Sequence, residues 1–372
     1  MTAAPPLDLA FSLADQSFDG TKSVGIFNVS LQLLRELTRR PEAVRLTVLA
    51  NHPLAAVLDL PESVRMTHYD WPVRSRLGRM WWDQFGAYRA AHRTGAQWLL
   101  LPKGFASFAR RSPVKLAVYV HDVMQQFYDR HYPGALPALE SAYFRRAFQA
   151  TLRNASVIFT NSEHTRQEVL RFARERSLSP PPVITAGIGF PAGPAAQSER
   201  ANAIMVLTGK YPHKRTDLAV QYLDRWQRQN DFPGEVHWVG GLPPGLVLAP
   251  HPRWRRHARL SDTDYTALLG RSRALVYFSA NEGFGMPPVE ALLAGTCPVF
   301  SLLPATREVM GPCGCGFENE SYDSFARALN RALGVSAAET ETWATELRAR
   351  HDWRRVADRV VQGLVDVSGS AA

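Results

Sequence analysis

One stretch limits what this chain can fold into. Arg273-Ala-Leu-Val-Tyr-Phe-Ser279 is a short apolar run rich in β-formers and reads as a buried strand. Ala280-Asn-Glu282-Gly283-Phe284-Gly285-Met286 follows, and its two glycines break the pattern and give a tight loop its backbone freedom. Pro287 and Pro288 suit the first turn of a helix, where a missing N–H costs little. Val289-Glu290-Ala-Leu-Leu-Ala294 continues that helix to Gly295 as a C-cap, and Thr296–Phe300 reads as the next strand. Strand, glycine loop, helix and strand make a βαβ unit, with the loop at the carboxyl end of its first strand. Open parallel sheets bind ligands at that end.

The loop and the helix start each carry a carboxylate, Glu282 and Glu290, placed to line one crevice. The helix start offers free N–H groups and a positive dipole end to an anion. Carboxylates would repel that anion, so they must face something neutral that donates hydrogen bonds. Sugar hydroxyls fit, because an ionised carboxylate only accepts and takes two O–H groups at once. A crevice suited to both a phosphate and a polyol describes a nucleotide sugar.

Bulk properties narrow the class. At 372 residues the chain is long enough for two domains with full cores. No apolar run approaches the ~18 residues of a membrane helix. Met1-Thr-Ala-Ala-Pro-Pro lacks the basic start and apolar core of a signal peptide, so a cytoplasmic location is expected. Cys297, Cys313 and Cys315 include a C-x-C pair without a second pair to complete a zinc site, and read as reduced structural thiols. The net charge of +9 calls for an acidic partner. The arginines are dispersed and no nucleic-acid module is recognisable, so no nucleic acid is expected. In Trp71–Arg93, Trp81, Phe85 and Tyr88 recur at helical spacing beside Arg79, Arg89 and Arg93. Such a stripe either lies on a membrane surface, at the inner membrane face, or faces the core with a solvated basic rim; the second reading is the simpler.

The phrase Glu282-Gly-Phe-Gly-Met-Pro-Pro-Val-Glu290-Ala-Leu-Leu-Ala-Gly-Thr-Cys-Pro-Val299 resembles the signature of the retaining GT-B glycosyltransferases of family 4, in which two glutamates flank seven residues. Other segments resemble the same family. Gly78–Gln84 is similar to its R-x-x-W-E-Q turn, and Lys115–Asp122 to a strand ending in His-Asp, which puts His121 at a strand exit. Gly25-Ile26 matches its glycine loop, although Phe27 and Asn28 stand where a glycine and an arginine are usual. Gly209-Lys210-Tyr-Pro-His-Lys214 is similar to its phosphate-neutralising loop, with Lys214 matching a lysine and Lys210 in the place of an arginine. Asp262-Thr-Asp264 has the look of a metal-binding D-x-D, but it follows Ser261 at a helix start and reads as first-turn acids.

The resemblance implies two Rossmann-like doubly wound parallel-sheet α/β domains facing a cleft. An acceptor-side domain is expected over 1–188, a nucleotide-sugar domain over 201–355, and a C-terminal helix over 356–372 that crosses back to the first domain; Glu341 to Val365 is expected to be helical. The linker is expected over 187–200. The resemblance further implies that Glu290 holds the nucleotide ribose, while Glu282 and the amides of Gly283, Phe284 and Gly285 hold the donor sugar. Lys214 with Lys210 would stabilise the departing diphosphate, Gly25 and Gly209 would border the phosphates, and His121 would approach the sugar. No metal and no cofactor beyond the donor is expected, and no covalent nucleophile. The implied reaction moves a hexose, with a lean to mannose or rhamnose, to a glycan or lipid-linked acceptor in surface polysaccharide or lipopolysaccharide assembly. A nucleotide-sugar epimerase on the same scaffold and a non-catalytic basic binder of nucleic acid or anionic membrane are the alternatives.

Overall fold

The computed structural model describes residues 5–16, 24–69, 75–191 and 200–369. Most of the glycine loop ahead of Gly25 and of the linker stretch 187–200 lies outside these, as does the start of the basic aromatic segment. The chain divides into two compact units, residues 1–189 with 353–372, and residues 190–352.

Mostly apolar runs of three to eight residues, interspersed with amphipathic stretches, give each unit one all-parallel sheet. In the first, β1 (Leu7–Ser12), β2 (Val44–Asn51), β3 (Arg65–Tyr69), β4 (Trp98–Leu101), β5 (Lys115–Val120), β6 (Val157–Thr160) and β7 (Val183–Thr185) lie in the order β3-β2-β1-β4-β5-β6-β7. In the second, β8 (Ala203–Thr208), β9 (Glu235–Gly240), β10 (Trp254–His257), β11 (Ala274–Tyr277), β12 (Cys297–Ser301) and β13 (Cys315–Phe317) lie in the order β10-β9-β8-β11-β12-β13. Each sheet therefore starts at an inner strand, winds outward to one edge, and returns to wind the other way. The reversal falls between β1 and β4 in the first sheet and between β8 and β11 in the second, and adjacent loops part there to leave a crevice at the strands' carboxyl ends.

Central strands are buried on both faces, so they read as continuous apolar runs. Edge strands β3, Arg-Met-Thr-His-Tyr, and β10, Trp-Arg-Arg-His, are exceptions: their charges, set on an edge, deter pairing with another chain. The stretch expected to be helical from Glu341 to Val365 is two helices, Ala337–Arg350 and Trp353–Gly369, broken at His351-Asp352. Trp353 is pulled inward, with its backbone so close to Gly189 that a Cβ there would lie 2.3 Å from the Trp353 nitrogen. The second helix packs in the first unit. Arg40 reaches across to it, donating to Asp358 Oδ1 at 2.9 Å and to the Arg354 carbonyl at 2.8 Å. All three cysteines are buried free thiols, with Cys297 and Cys315 sulfurs 3.8 Å apart on neighbouring strands.

Between Arg76 and Arg93 the chain is helical, with a π-helical turn at Trp82–Gly86. Tyr88 is buried, while Trp81 is 37% exposed with Arg89 stacked on its ring. No helix among the described residues is long and apolar enough to cross a membrane.

Candidate active site

The loops on either side of the second sheet's reversal carry the site. After β8 the chain runs Gly209-Lys-Tyr-Pro-His-Lys214-Arg215; after β11 it runs Phe278-Ser279-Ala-Asn-Glu282. A backbone hydrogen bond from Ala280 N to the His213 carbonyl (2.7 Å) ties the two loops together. Thr216 Oγ1 staples the base of the first loop, accepting from Gly209 N and donating to the Gly209 carbonyl. The glycine at 209 is obligatory for a steric reason: a Cβ there would lie 2.7 Å from Lys214 Cγ, in the path of the lysine stem.

Lys214 and Glu282 meet. Glu282 Oε1 accepts from Lys214 Nζ at 2.8 Å, Tyr277 Oη at 2.5 Å and Ser279 Oγ at 2.8 Å, and the Tyr277 hydroxyl also accepts from Lys214 at 3.0 Å. Oε2 receives no hydrogen bond from the described residues, which leaves it as the acceptor a ligand hydroxyl can use. Burial alone would raise the Glu282 carboxyl, but the Lys214 cation and the three donors outweigh it and hold the group below its ordinary range. Burial likewise opposes the Lys214 cation, and attraction to Glu282 together with its hydrogen bonds to Glu282 and Tyr277 keeps the amine above the usual lysine range. Both groups are thus ionised at neutral pH. The support continues outward: Ser301 Oγ accepts from Ser279 N, and Asn319 Nδ2 donates to the Ser279 carbonyl at 2.7 Å.

Glu290 lies in the helix Met286–Leu293 and has a different environment. Its carboxylate makes no hydrogen bond among the described residues, and burial pushes it up to about 7. Gly285, at the N-cap, has φ 86°, and a Cβ there would also meet Thr306 Cγ2 at 2.8 Å, so this position requires glycine. Phe284 is only 4% exposed, its ring packed 5.3 Å from His351 and 6.0 Å from Phe190. Its side chain anchors the loop, so any contact with a ligand must come from its backbone. Lys210 stands apart from the Lys214–Glu282 pair, over the Tyr211 ring at 5.4 Å.

His121 and Gly25 belong to the first unit. Gly25 sits in the first turn of the helix Val24–Thr38. His121 follows β5, with Nε2 2.7 Å from the Pro102 carbonyl. A carbonyl only accepts, so Nε2 carries the proton and Nδ1 is left as an acceptor. Burial lowers the imidazole to about 4, which keeps it neutral. Sequence reasoning missed a cluster nearby in the fold. Lys103, in the loop after β4, pairs with Asp15, in the loop after β1, and with Asp83 Oδ1 at 3.0 Å. Burial lowers the lysine to about 7 and raises Asp83 to about 7. Asp262 and Asp264 occupy the first turn of a helix, where Ser261 Oγ caps the Asp264 amide at 3.0 Å. Among the described residues no group of three or more His, Cys, Asp or Glu side chains is arranged to hold a metal ion.

Solved structures share this architecture. Sucrose-phosphate synthase from Thermosynechococcus elongatus superposes with a TM-score of 0.67 at 16% identity, covering 98% of this chain and 100% of that one. Anabaena HepE in complex with UDP and glucose gives 0.66 at 15%, covering 97% and 100%. Two doubly wound parallel sheets of this kind, taken with the family matches that follow, place the chain among the glycosyltransferases of the GT-B class. Residues 24–185 match Glycosyltransferase Family 4 and residues 255–345 match Glycosyl transferases group 1, and the chain belongs to the family 4-like members of that class. Among curated proteins it is 29% identical over 283 residues to the serotype-specific mannosyltransferase WbdA of Escherichia coli, covering 68% of this chain and 33% of the relative. It is 32% identical over 118 residues to the GDP-mannose:cellobiosyl-diphosphopolyprenol alpha-mannosyltransferase of Komagataeibacter xylinus, covering 30% of each. The chain thus spans about a third of the length of these relatives.

Proposed function

We propose that the protein transfers a hexose, mannose by preference, from a nucleotide diphosphate sugar to a hydroxyl of a glycan or lipid-linked acceptor, with retention of anomeric configuration. The observation that carries this reading is the Lys214–Glu282 pair at the reversal of the second sheet. Glu282 Oε2 accepts sugar hydroxyls, with the backbone of residues 283–285 alongside. Lys214, held cationic, turns to the diphosphate as charge develops on the leaving group, the stage at which a fixed cation lowers a barrier most. Because a lysine supplies that charge, the reaction is proposed to need no metal. Glu290 takes a pair of ribose hydroxyls, and this contact ionises it. His121 offers a neutral acceptor to a substrate hydroxyl. The mannosyltransferase names of the relatives support the sugar, and the O-antigen chain mannosyltransferase RfbU among them supports a place in surface polysaccharide assembly.

The test is transfer from a panel of nucleotide sugars to mannose-terminated and diphosphopolyprenol-linked acceptors, with the product's anomeric configuration read by NMR. GDP-mannose as the best donor, an α-linked product and undiminished activity in EDTA are expected. Glu282→Gln should lower the rate by about 10²–10³. An inverted product, or turnover of the nucleotide sugar that needs no acceptor, would overturn the reading.

A further inference from the structure

A second charged pocket lies in the first unit. The loop that leaves β4 and returns to the start of β5 crosses the last two turns of the helix Ala138–Asn154, which itself leads into β6. Between them is a cavity of about 350 Å³ lined by Phe108, Arg110, Arg111, Arg146, Gln149 and Arg153, among others. Both chain segments feed the amino ends of β5 and β6, whereas His121 and Lys103 follow carboxyl ends. The pocket is therefore separate from the sheet's ligand crevice.

Four guanidiniums and no carboxylate line it. Arg110, Arg111, Arg146 and Arg153 are all exposed, and none has an ion-pair partner or a side-chain hydrogen bond among the described residues. Other surface arginines, such as Arg130, Arg166, Arg171 and Arg307, sit against carboxylates, so what sets these four apart is that they line one cavity that holds no carboxylate. Arg146 and Arg153, seven positions apart, share one helix face. The loop opposite is rigid: Ser107 Oγ accepts from Ala109 N and Arg110 N, Gln84 Oε1 accepts from Phe108 N, and Asn154 Nδ2 donates to the Ser107 carbonyl. Four like charges gathered around one cavity give it a positive potential, which water and salt only partly screen and which a bound anion would neutralise.

We propose that this pocket binds a phosphate group. Guanidinium forks match phosphate oxygens two at a time, and four of them around one cavity suit a multiply charged phosphate better than a lone carboxylate. Phe108, 43% exposed beside the arginines, gives the pocket an apolar edge suited to the body of a phosphate-bearing amphiphile. The phosphate belongs either to a lipid headgroup or to a soluble diphosphate, and two probes separate them.

The full chain is titrated with inorganic diphosphate by calorimetry, and separately sedimented with phosphatidylcholine vesicles with and without phosphatidylglycerol. Binding of at least one probe through the four arginines is expected; diphosphate binding that the four-arginine variant loses assigns a soluble ligand, and arginine-dependent binding confined to the phosphatidylglycerol vesicles assigns a headgroup. The Arg110→Gln, Arg111→Gln, Arg146→Gln, Arg153→Gln variant should lose on the order of fivefold in affinity per arginine removed. All four side chains are exposed, and an unchanged circular dichroism melt verifies the fold. Arg256→Gln with Arg259→Gln, exposed arginines of the second unit, should leave binding unchanged. No binding of either probe, full binding by the four-site variant, or an equal loss per arginine in the control would overturn the proposal. Protection of Arg146 and Arg153 from phenylglyoxal by the bound probe gives a second reading on the unmutated chain, and absence of protection counts against the pocket.

Discussion

Glu282 takes three hydrogen bonds on one oxygen, and this concentration sets how the site fails when it is cut. Removing Lys214 leaves a mostly buried carboxylate without its counter-charge. Lys214→Met should therefore cost roughly 2–3 kcal/mol of stability as well as activity, and Glu282→Gln placed on top should recover most of the stability but none of the activity. Denaturant melts of the two single variants and the double variant measure this, and additive losses would show that the pair is not coupled. Glu290 works the other way. Its folded-state value of about 7 lies above the ordinary 4.5, so the protonated form contributes stability that is full below about 4.5 and lost as pH rises through 7. Glu290→Gln should be more stable than the parent at pH 8 by on the order of 1–3 kcal/mol and equal to it near pH 4, while binding the nucleotide more weakly. Thermal melts across that range decide it. The two glutamates and Lys214 are legible in the sequence because they sit beside glycines and prolines that have no other explanation. Tyr277 and Ser279 are hidden inside what reads as strand, and Asp15, Asp83 and Lys103 are hidden because three distant segments bring them together.

The glycine loop is a backbone device at the level of the element. Gly285 combines a left-handed φ with a close neighbour, Thr306, so Gly285→Ala should cost about 1–3 kcal/mol and shift the helix start that carries Glu290. The melting temperature and donor affinity should fall together; a change in affinity alone would point to a direct ligand contact instead. Strand and helix order follow readily from alternation of apolar runs with amphipathic stretches, and the buried inner strands fall within a few residues of their apparent limits. β10 was not legible, because two of its four residues are arginines and an edge strand needs no apolar face. The break at His351-Asp352 was not legible either. Residues on both sides favour helix, and the interruption comes from tertiary packing: His351 Nε2 bonds the Val309 carbonyl, the Phe190 amide bonds the His351 carbonyl, and Trp353 packs on Gly189. The π-helical turn at Trp82–Gly86 likewise depends on what surrounds it, since Trp82 Nε1 reaches Ser12 Oγ and Gln84 serves the Ser107 loop.

Seen whole, the first unit is built from two separate lengths of chain, and the second is continuous. The helix Trp353–Gly369 buries Trp353, Val356, Val360 and Leu364 in the first unit. At roughly 1.5–3 kcal/mol for each large apolar side chain, its loss approaches the 5–15 kcal/mol that holds a domain folded. A chain ending at Asp352 should lose the unfolding transition of the first unit and keep that of the second, which calorimetry can resolve as one peak where the parent shows two. During synthesis the same arrangement sets an order of events. The opening sheet leaves the ribosome early, yet it lacks its last buried helix until all of residues 190–352 have been made, a wait on the order of ten seconds or more at ~5–20 residues per second. The donor-side unit, uninterrupted, is free to close on itself in that interval, so the half that begins first is the half that finishes last, and its exposed apolar surface is what a chaperone would meet.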